Sequence, residues 1–156
     1  MSDMVDVDTQ RVHGLLSAIA TGFGVVDAQV TVDVDDEDGL RGAVEGEGAN
    51  GLVGRNGEVI DAIQYIASQV VGRREGGRRR VSIDAGGYRA RREAMLQDLA
   101  ERAANEAVEF GEEIELDVMT PHDRRIVHMA LKERTDVVTR SEGDEPRRRI
   151  VVEPAD

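Results

Sequence analysis

Apolar residues recur at helical spacing in some stretches of this chain and alternate in others, and the switches between the two mark its elements. From about Thr9 to Ala20, Val12, Leu15, Leu16 and Ile19 return at helical intervals, which predicts a first helix ending near Gly22 or Gly24. Residues 1–8 before it read as a disordered acidic start. From Val26 to Asp35 the pattern alternates, with Ala28, Val30, Val32 and Val34 on one face and Gln29, Thr31 and Asp33 on the other, as in a half-buried strand. Asp35-Asp36-Glu37-Asp38-Gly39 is a polar turn, and Leu40 to Glu45 is the returning strand of an antiparallel hairpin. After a glycine-rich connection over 46–51, Val59, Ile60, Ile63, Ile66, Ala67 and Val70 define an amphipathic helix that Gly72 stops. Arg73 to Arg80 is a turn into a short strand, Val81-Ser82-Ile83.

The second half repeats the mixture. Leu96, Leu99, Ala100, Ala103, Ala107 and Phe110 line one face of a long packed helix. Ile114, Leu116 and Val118 alternate with acidic residues as a strand. Thr120-Pro121-His122-Asp123 is a helix start, with Thr as cap, Pro at the first position and Asp three after the cap. That helix should run to about Glu133, and Val137 to Arg140 and Arg148 to Val152 should be two further strands joined by a polar connection over 141–146. The pattern predicts an α+β chain of two small α/β modules in tandem.

Composition narrows the function classes. There is no Cys, which excludes disulfides and thiolate metal sites. No apolar run reaches the length of a membrane span and the acidic start is not a signal peptide, so a soluble cytoplasmic protein is expected. His13, His122 and His128 lack zinc spacing and there is no P-loop Lys, so neither a cofactor nor an enzyme is expected; a hydrolase built on Asp123, Arg124 and His128 is the catalytic alternative left. The acidic tip at 35–39 lacks the ligand spacing of a calcium loop, and no metal is expected there. The net charge of −12 argues against a nucleic-acid partner until its distribution is read. Residues 1–50 carry −9 and residues 51–156 only −3, while residues 73–92 hold 8 Arg against 2 acids. Lys132 is the only Lys, and the forked guanidinium of Arg suits phosphate.

Two small motifs carry chemistry. Gly54-Arg55-Asn56-Gly57 is a tight turn opening onto a helix N-terminus. Its glycines can take positive φ and let another backbone come close. The amides of the following first turn lack intrahelical partners and sit at the positive end of the dipole, so the turn reads as a phosphate seat displaying Arg55 and Asn56. On the motif alone, a plain turn is the equal alternative. Arg124 and His128, four apart, are neighbours on one helix face; spacing alone favours a surface Arg beside a partly buried His. Arg73, Arg74, Arg78, Arg79 and Arg80, with Arg91, Arg92, Arg140 and Arg147, are candidates for a phosphate track joining the modules. Arg89 and Arg92 at the start of the long helix oppose its dipole, which points to phosphate or to solvated surface equally. Phe23, Tyr65, Tyr88 and Phe110 are the only aromatics, too few for a stacking platform, so recognition should rest on backbone contacts and depend on salt.

The order helix, strand, strand, glycine turn, helix, strand over 9–84 resembles a KH domain of the bacterial type (type II), with Gly54-Arg55-Asn56-Gly57 on its nucleic-acid loop. KH domains usually place a full helix before that loop, and only Gly46 to Val53 is available here. Arg124-Arg125-Ile126-Val127-His128 matches the Arg-x-x-x-His signature of the R-three-H domain, which would occupy 85–154. With Asp84 to Arg92 and Thr139-Arg140-Ser141-Glu142-Gly143, the paired motifs resemble the Jag family, also called KhpB or EloR, without the extra N-terminal domain of many relatives. The resemblance implies a non-catalytic protein that binds single-stranded RNA. Gly54 to Gly57 would clamp the strand, Arg124 would pair with a phosphate, and His128 would orient Arg124 or donate a hydrogen bond itself. It also implies a post-transcriptional role in cell elongation, division and envelope homeostasis. A small KH protein is the implied partner, with an indirect link to the membrane-protein insertion machinery. The alternative is a protein-interaction adaptor with weak or no RNA binding.

Overall fold

A computed structural model of the chain describes residues 7–156, the side chain of Arg74 excepted. The chain divides into two compact units, the first ending at Arg89 and the second beginning at Ala90.

In the first unit α1 (Val7–Gly22) buries Val12, Leu16 and Ala20. It starts earlier than the spacing predicts. Val7 and Asp8 are helical, and the buried Asp8 carboxylate accepts a hydrogen bond from the Gly72 amide at 3.0 Å. Strand β1 (Val26–Val34) pairs antiparallel with β2 (Leu40–Glu47), and β2 pairs in parallel with a later strand, β5 (Val81–Ala85). The sheet order β1-β2-β5 leaves β1 at an edge. Only Val30 and Val32 of β1 pack against the core, whereas Val26 and Val34 are about half exposed, so the expected half-buried strand is a mostly exposed one. A bulge explains the start: Asp27 has φ 49°, and the register shifts between Val26 and Gln29.

A short 3-10 turn, Ala49–Leu52, stands where a full helix would, and sinks Ala49, Leu52 and Val53 into the core. Then come α2 (Glu58–Val70), which buries Ile60, Ile63 and Ala67, and a two-residue hairpin of β3 (Arg73–Arg74) and β4 (Gly77–Arg78). Helix α1 packs on β1 and β2, and α2 on β5.

Helix α3 (Tyr88–Phe110) begins in the first unit and supplies Leu96, Ala100, Ala103, Ala104 and Ala107 to the core of the second. Phe110, expected on that buried face, is 64% exposed at the last position of the helix. The expected strand at 114–118 is regular only over β6 (Ile114–Glu115); Leu116 and Met119 then turn their side chains inward while their amides donate to the Ile150 and Arg148 carbonyls at 2.9 and 3.1 Å. Helix α4 (Pro121–Ala130) is capped as the sequence predicts, the Thr120 hydroxyl accepting from the Asp123 amide at 3.2 Å. It ends three residues short of Glu133, where the chain turns and Leu131 enters the core. Strands β7 (Val137–Glu142) and β8 (Arg149–Pro154) complete an antiparallel sheet of order β6-β8-β7.

Candidate nucleic-acid interface

The glycine turn has the backbone its residues foretell. Gly54 has φ 72°, Asn56 φ 52° and Gly57 φ 84°. A Cβ on Gly54 would meet Val59 Cγ2 at 2.4 Å, and one on Gly57 would meet the Tyr88 ring and hydroxyl at 2.9–3.0 Å. Both glycines are therefore required by packing and by φ at once. Gly57 is buried, while Arg55 and Asn56 stand exposed at the tip.

One expectation fails here. The amides that open α2 are occupied by the turn itself: Val59 and Ile60 both donate to the Val53 carbonyl, at 3.0 and 3.2 Å, and the Glu58 amide donates to Arg55 O. The loop wraps tightly enough to satisfy the helix end with its own carbonyls. What it offers outward is the Arg55 and Asn56 side chains, not a row of vacant amides.

The acidic turn of the hairpin takes up two arginines of the basic segment, Arg79 and Arg80. Buried Arg79 donates to Asp38 Oδ1 at 2.7 Å and to the Asp38 carbonyl, and lies 3.9 Å from Asp8 Oδ2. Arg80 bridges Asp35 Oδ2 at 2.8 Å and Glu37 Oε2 at 2.9 Å. Asp35 also accepts from the amides of Gly39 and Glu37, at 2.7 and 3.0 Å. The Arg80 hydrogen bond, with these amides, holds its carboxyl down at about 2. Arg78 donates to Gln69 at 2.9 Å. Arg73 is exposed, with no ion pair among the described residues; Arg74 lies outside the described side chains. At the start of α3, Arg89 donates to the Ile83 carbonyl, Asp61 and Gln64 at 2.7–3.1 Å, which answers the dipole question with local structure.

In the second unit the Arg-x-x-x-His pair is inverted relative to the expectation from spacing. Arg124 is buried, 9% exposed, and His128 is exposed. Arg124 donates to the Met119 carbonyl at 2.9 Å and pairs with Glu145. His128 Nδ1 bonds the Thr139 hydroxyl instead of orienting Arg124. Arg124 thus pins α4 to the segments around Met119 and Glu145, and His128 pins it to β7. Arg92 forks onto the buried Asp123 at 2.8 and 3.1 Å, and Arg140 sits among Glu113, Glu142 and Glu153. Arg91 and Arg147 are exposed.

Known proteins share this second unit. A model of the R-three-H domain matches residues 94–154, the span that contains Arg124 and His128. A protein called RNA-binding protein KhpB from Clostridium symbiosum is 36% identical over 109 residues, 70% of this chain and 49% of its own. Proteins of the same name from Lactiplantibacillus plantarum and Bacillus subtilis are 36% and 28% identical, covering 65% and 72% of this chain. The chain carries an R-three-H domain and is similar to the KhpB (Jag) proteins. It spans 31% and 55% of those two relatives, so about half their length or less.

Within the matched span, the sequence pattern gave no role to Arg125. Its position on α4 turns it about 100° away from Arg124, and it is exposed, with no ion pair or hydrogen bond to its guanidinium among the described residues. The helical wheel alone could have separated it from its neighbour. Tyr88, which closes over Gly57, was also missed, because no spacing rule links residues this far apart. Among the described residues no group of three or more His, Asp or Glu is placed to hold a metal ion, and no helix is long and apolar enough to cross a membrane.

Proposed function

We propose that this chain binds single-stranded RNA, with its first unit acting as a KH module of the bacterial type, followed by the R-three-H domain. The observation that carries the reading is the exposed tip of the 54–57 turn. Arg55 and Asn56 project there from a backbone that glycine at both ends keeps narrow. Arg55 contacts phosphate directly, and the strand lies along the turn with modest sequence preference. The names of the KhpB relatives support RNA as the ligand. In this reading the protein is cytoplasmic and non-catalytic. It acts after transcription in cell elongation, division and envelope homeostasis, with a small KH protein as partner and an indirect link to the membrane insertion machinery.

A protein-interaction adaptor is the second reading, and one observation favours it. Tyr65, Ile66 and Val70 form an exposed apolar stripe along α2, with Tyr65 67% exposed. Fluorescence anisotropy of a single-stranded RNA at two salt concentrations separates the readings. RNA binding that weakens with salt, and weakens again in Arg55→Glu, supports the first. Binding absent in the wild type, or unchanged in Arg55→Glu, overturns it. Gly57→Asp is a poorer probe, because the new side chain would collide with Tyr88.

A further inference from the structure

The sheet of the first unit has two edges, and the fold treats them differently. At β5 the polar groups facing away from β2 are taken by side chains. The Ile83 amide donates to Gln64 Oε1 at 2.9 Å, the Ala85 amide to Asp84 Oδ1 at 2.8 Å, and the Ile83 carbonyl accepts from Arg89 Nε at 2.7 Å. Sealing of this kind keeps an exposed edge from pairing with another chain. Strand β1, at the other edge, has no side chain bonded to its backbone over Gln29 to Val34 among the described residues.

The ladder decides which groups of β1 are open. The Leu40 amide donates to the Arg80 carbonyl at 2.8 Å and the Val44 carbonyl accepts from Gly86 at 3.0 Å, so both residues turn their polar groups toward β5. In an antiparallel pair, residues turned away in this manner face partners that are not hydrogen-bonded to them. Those partners are Val34 and Val30, and Val32 lies between them in the same phase. The amides and carbonyls of these valines therefore point out of the sheet edge. Val30 and Val32 are partly buried on the face covered by α1, as are Leu15 and Ile19 of α1 itself. Gln29, Thr31 and Asp33 stand on the opposite face, across from Glu45, Ala43 and Arg41. Asp33 and Glu45, with Asp27 and Glu47 near the bulge, are exposed and have no ion pair among the described residues, while Arg41 lies 3.6 Å from Asp35.

We propose that β1 is a docking edge for an extended basic segment of a partner protein, which adds to the sheet as a further strand. The valine amides and carbonyls supply the backbone hydrogen bonds. Apolar residues of the segment cover Val30, Val32 and the α1 side, and alternate Lys or Arg residues meet Asp33 and Glu45 on the other face. A second copy of β1 would bring its own acids onto that face and is disfavoured. The same carboxylates repel an RNA backbone. Docking here is independent of the RNA reading, since neither Arg55 nor Asn56 takes part.

The test adds a heptapeptide alternating Val and Lys, blocked at both ends, to the isotope-labelled full chain and follows amide hydrogen exchange. Exchange at Val30, Val32 and Val34 should slow by roughly tenfold, while Ile83, already bonded, should not change. A peptide with Glu in place of Lys should bind roughly tenfold more weakly, and added salt should weaken the Lys peptide. Val32→Pro removes an outward amide without touching the bonds to β2 and should abolish binding. Asp33→Lys, on the exposed face, should weaken binding severalfold with an unchanged circular dichroism spectrum, and it decides the matter if Val32→Pro does not fold. No slowing at the valines, equal binding of the Glu peptide, or full binding by a folded variant would overturn the docking edge. Slowing that grows with protein concentration in the absence of peptide would assign the edge to a second copy, and slowing by a single-stranded RNA would assign it to nucleic acid. Either result overturns the basic segment as its occupant.

Discussion

Two short motifs that each carry an arginine end in opposite states. The Gly54–Gly57 turn holds its polar side chains outward, whereas the Arg124–His128 pair draws its cation inward. Around Gly54 the backbone satisfies itself: Val53 O takes two amides, and nothing is left for Arg55 to do inside the fold. Around Arg124 the reverse holds, since the carbonyl of buried Met119 takes a donor from the guanidinium, which also pairs with the half-exposed Glu145. A motif fixes where a charge is placed along the chain. Whether that charge is available to a ligand depends on which carbonyls and carboxylates surround it after folding.

The largest expected effect sharpens the inward half of this contrast. Arg124→Ala leaves the Met119 carbonyl and Glu145 without their donor. It should destabilise the protein by about 2–3 kcal/mol, below the full value for a wholly buried pair because Glu145 is half exposed. Urea unfolding measures this; an unchanged midpoint together with lost RNA affinity would return Arg124 to a phosphate role. Next comes Gly54→Ala. Positive φ and the contact with Val59 Cγ2 should together cost about 1–3 kcal/mol. A neutral result would mean the turn relaxes and does not hold Arg55 in place. Thr120→Ala, which removes the cap of α4, should cost about 1 kcal/mol in the same assay.

A pH titration probes the acidic turn. The Asp35 carboxyl is held at about 2 in the folded chain by Arg80 and two amides, against an ordinary value of 3.8. A depressed carboxyl stabilises the fold fully above its unfolded pKa. That contribution is lost as pH falls through the window from about 4 to about 2. Asp35→Asn should flatten the acid limb of the stability curve there, and an unchanged limb would mean that Asp35 contributes nothing to it.

Much of the element order was legible, for particular reasons. Thr120 and Pro121 announce α4 through cap chemistry that needs no tertiary partner. The spacing of Ile60, Ile63 and Ala67 gives α2 its buried face. Phe110 was misplaced because helical spacing says nothing about where the core ends. The edge position of β1 depends on which strand lies beside β2, and alternation alone does not carry that information. The role of the acidic residues at 35–38 was hidden for the same reason: their partners, Arg79 and Arg80, lie some forty residues away. Once paired, they reconcile a net charge of −12 with a basic segment whose arginines are mostly held by the protein itself.

The most direct test compares the salt dependence of single-stranded RNA binding in Arg55→Gln and Arg124→Gln, at a temperature where both remain folded. Each phosphate contact on a single strand contributes about 0.7 to the slope of log affinity against log salt. Arg55→Gln should lower the slope by about that much, and Arg124→Gln should leave it at the wild-type value. A lowered slope in Arg124→Gln with an unchanged one in Arg55→Gln would contradict the account.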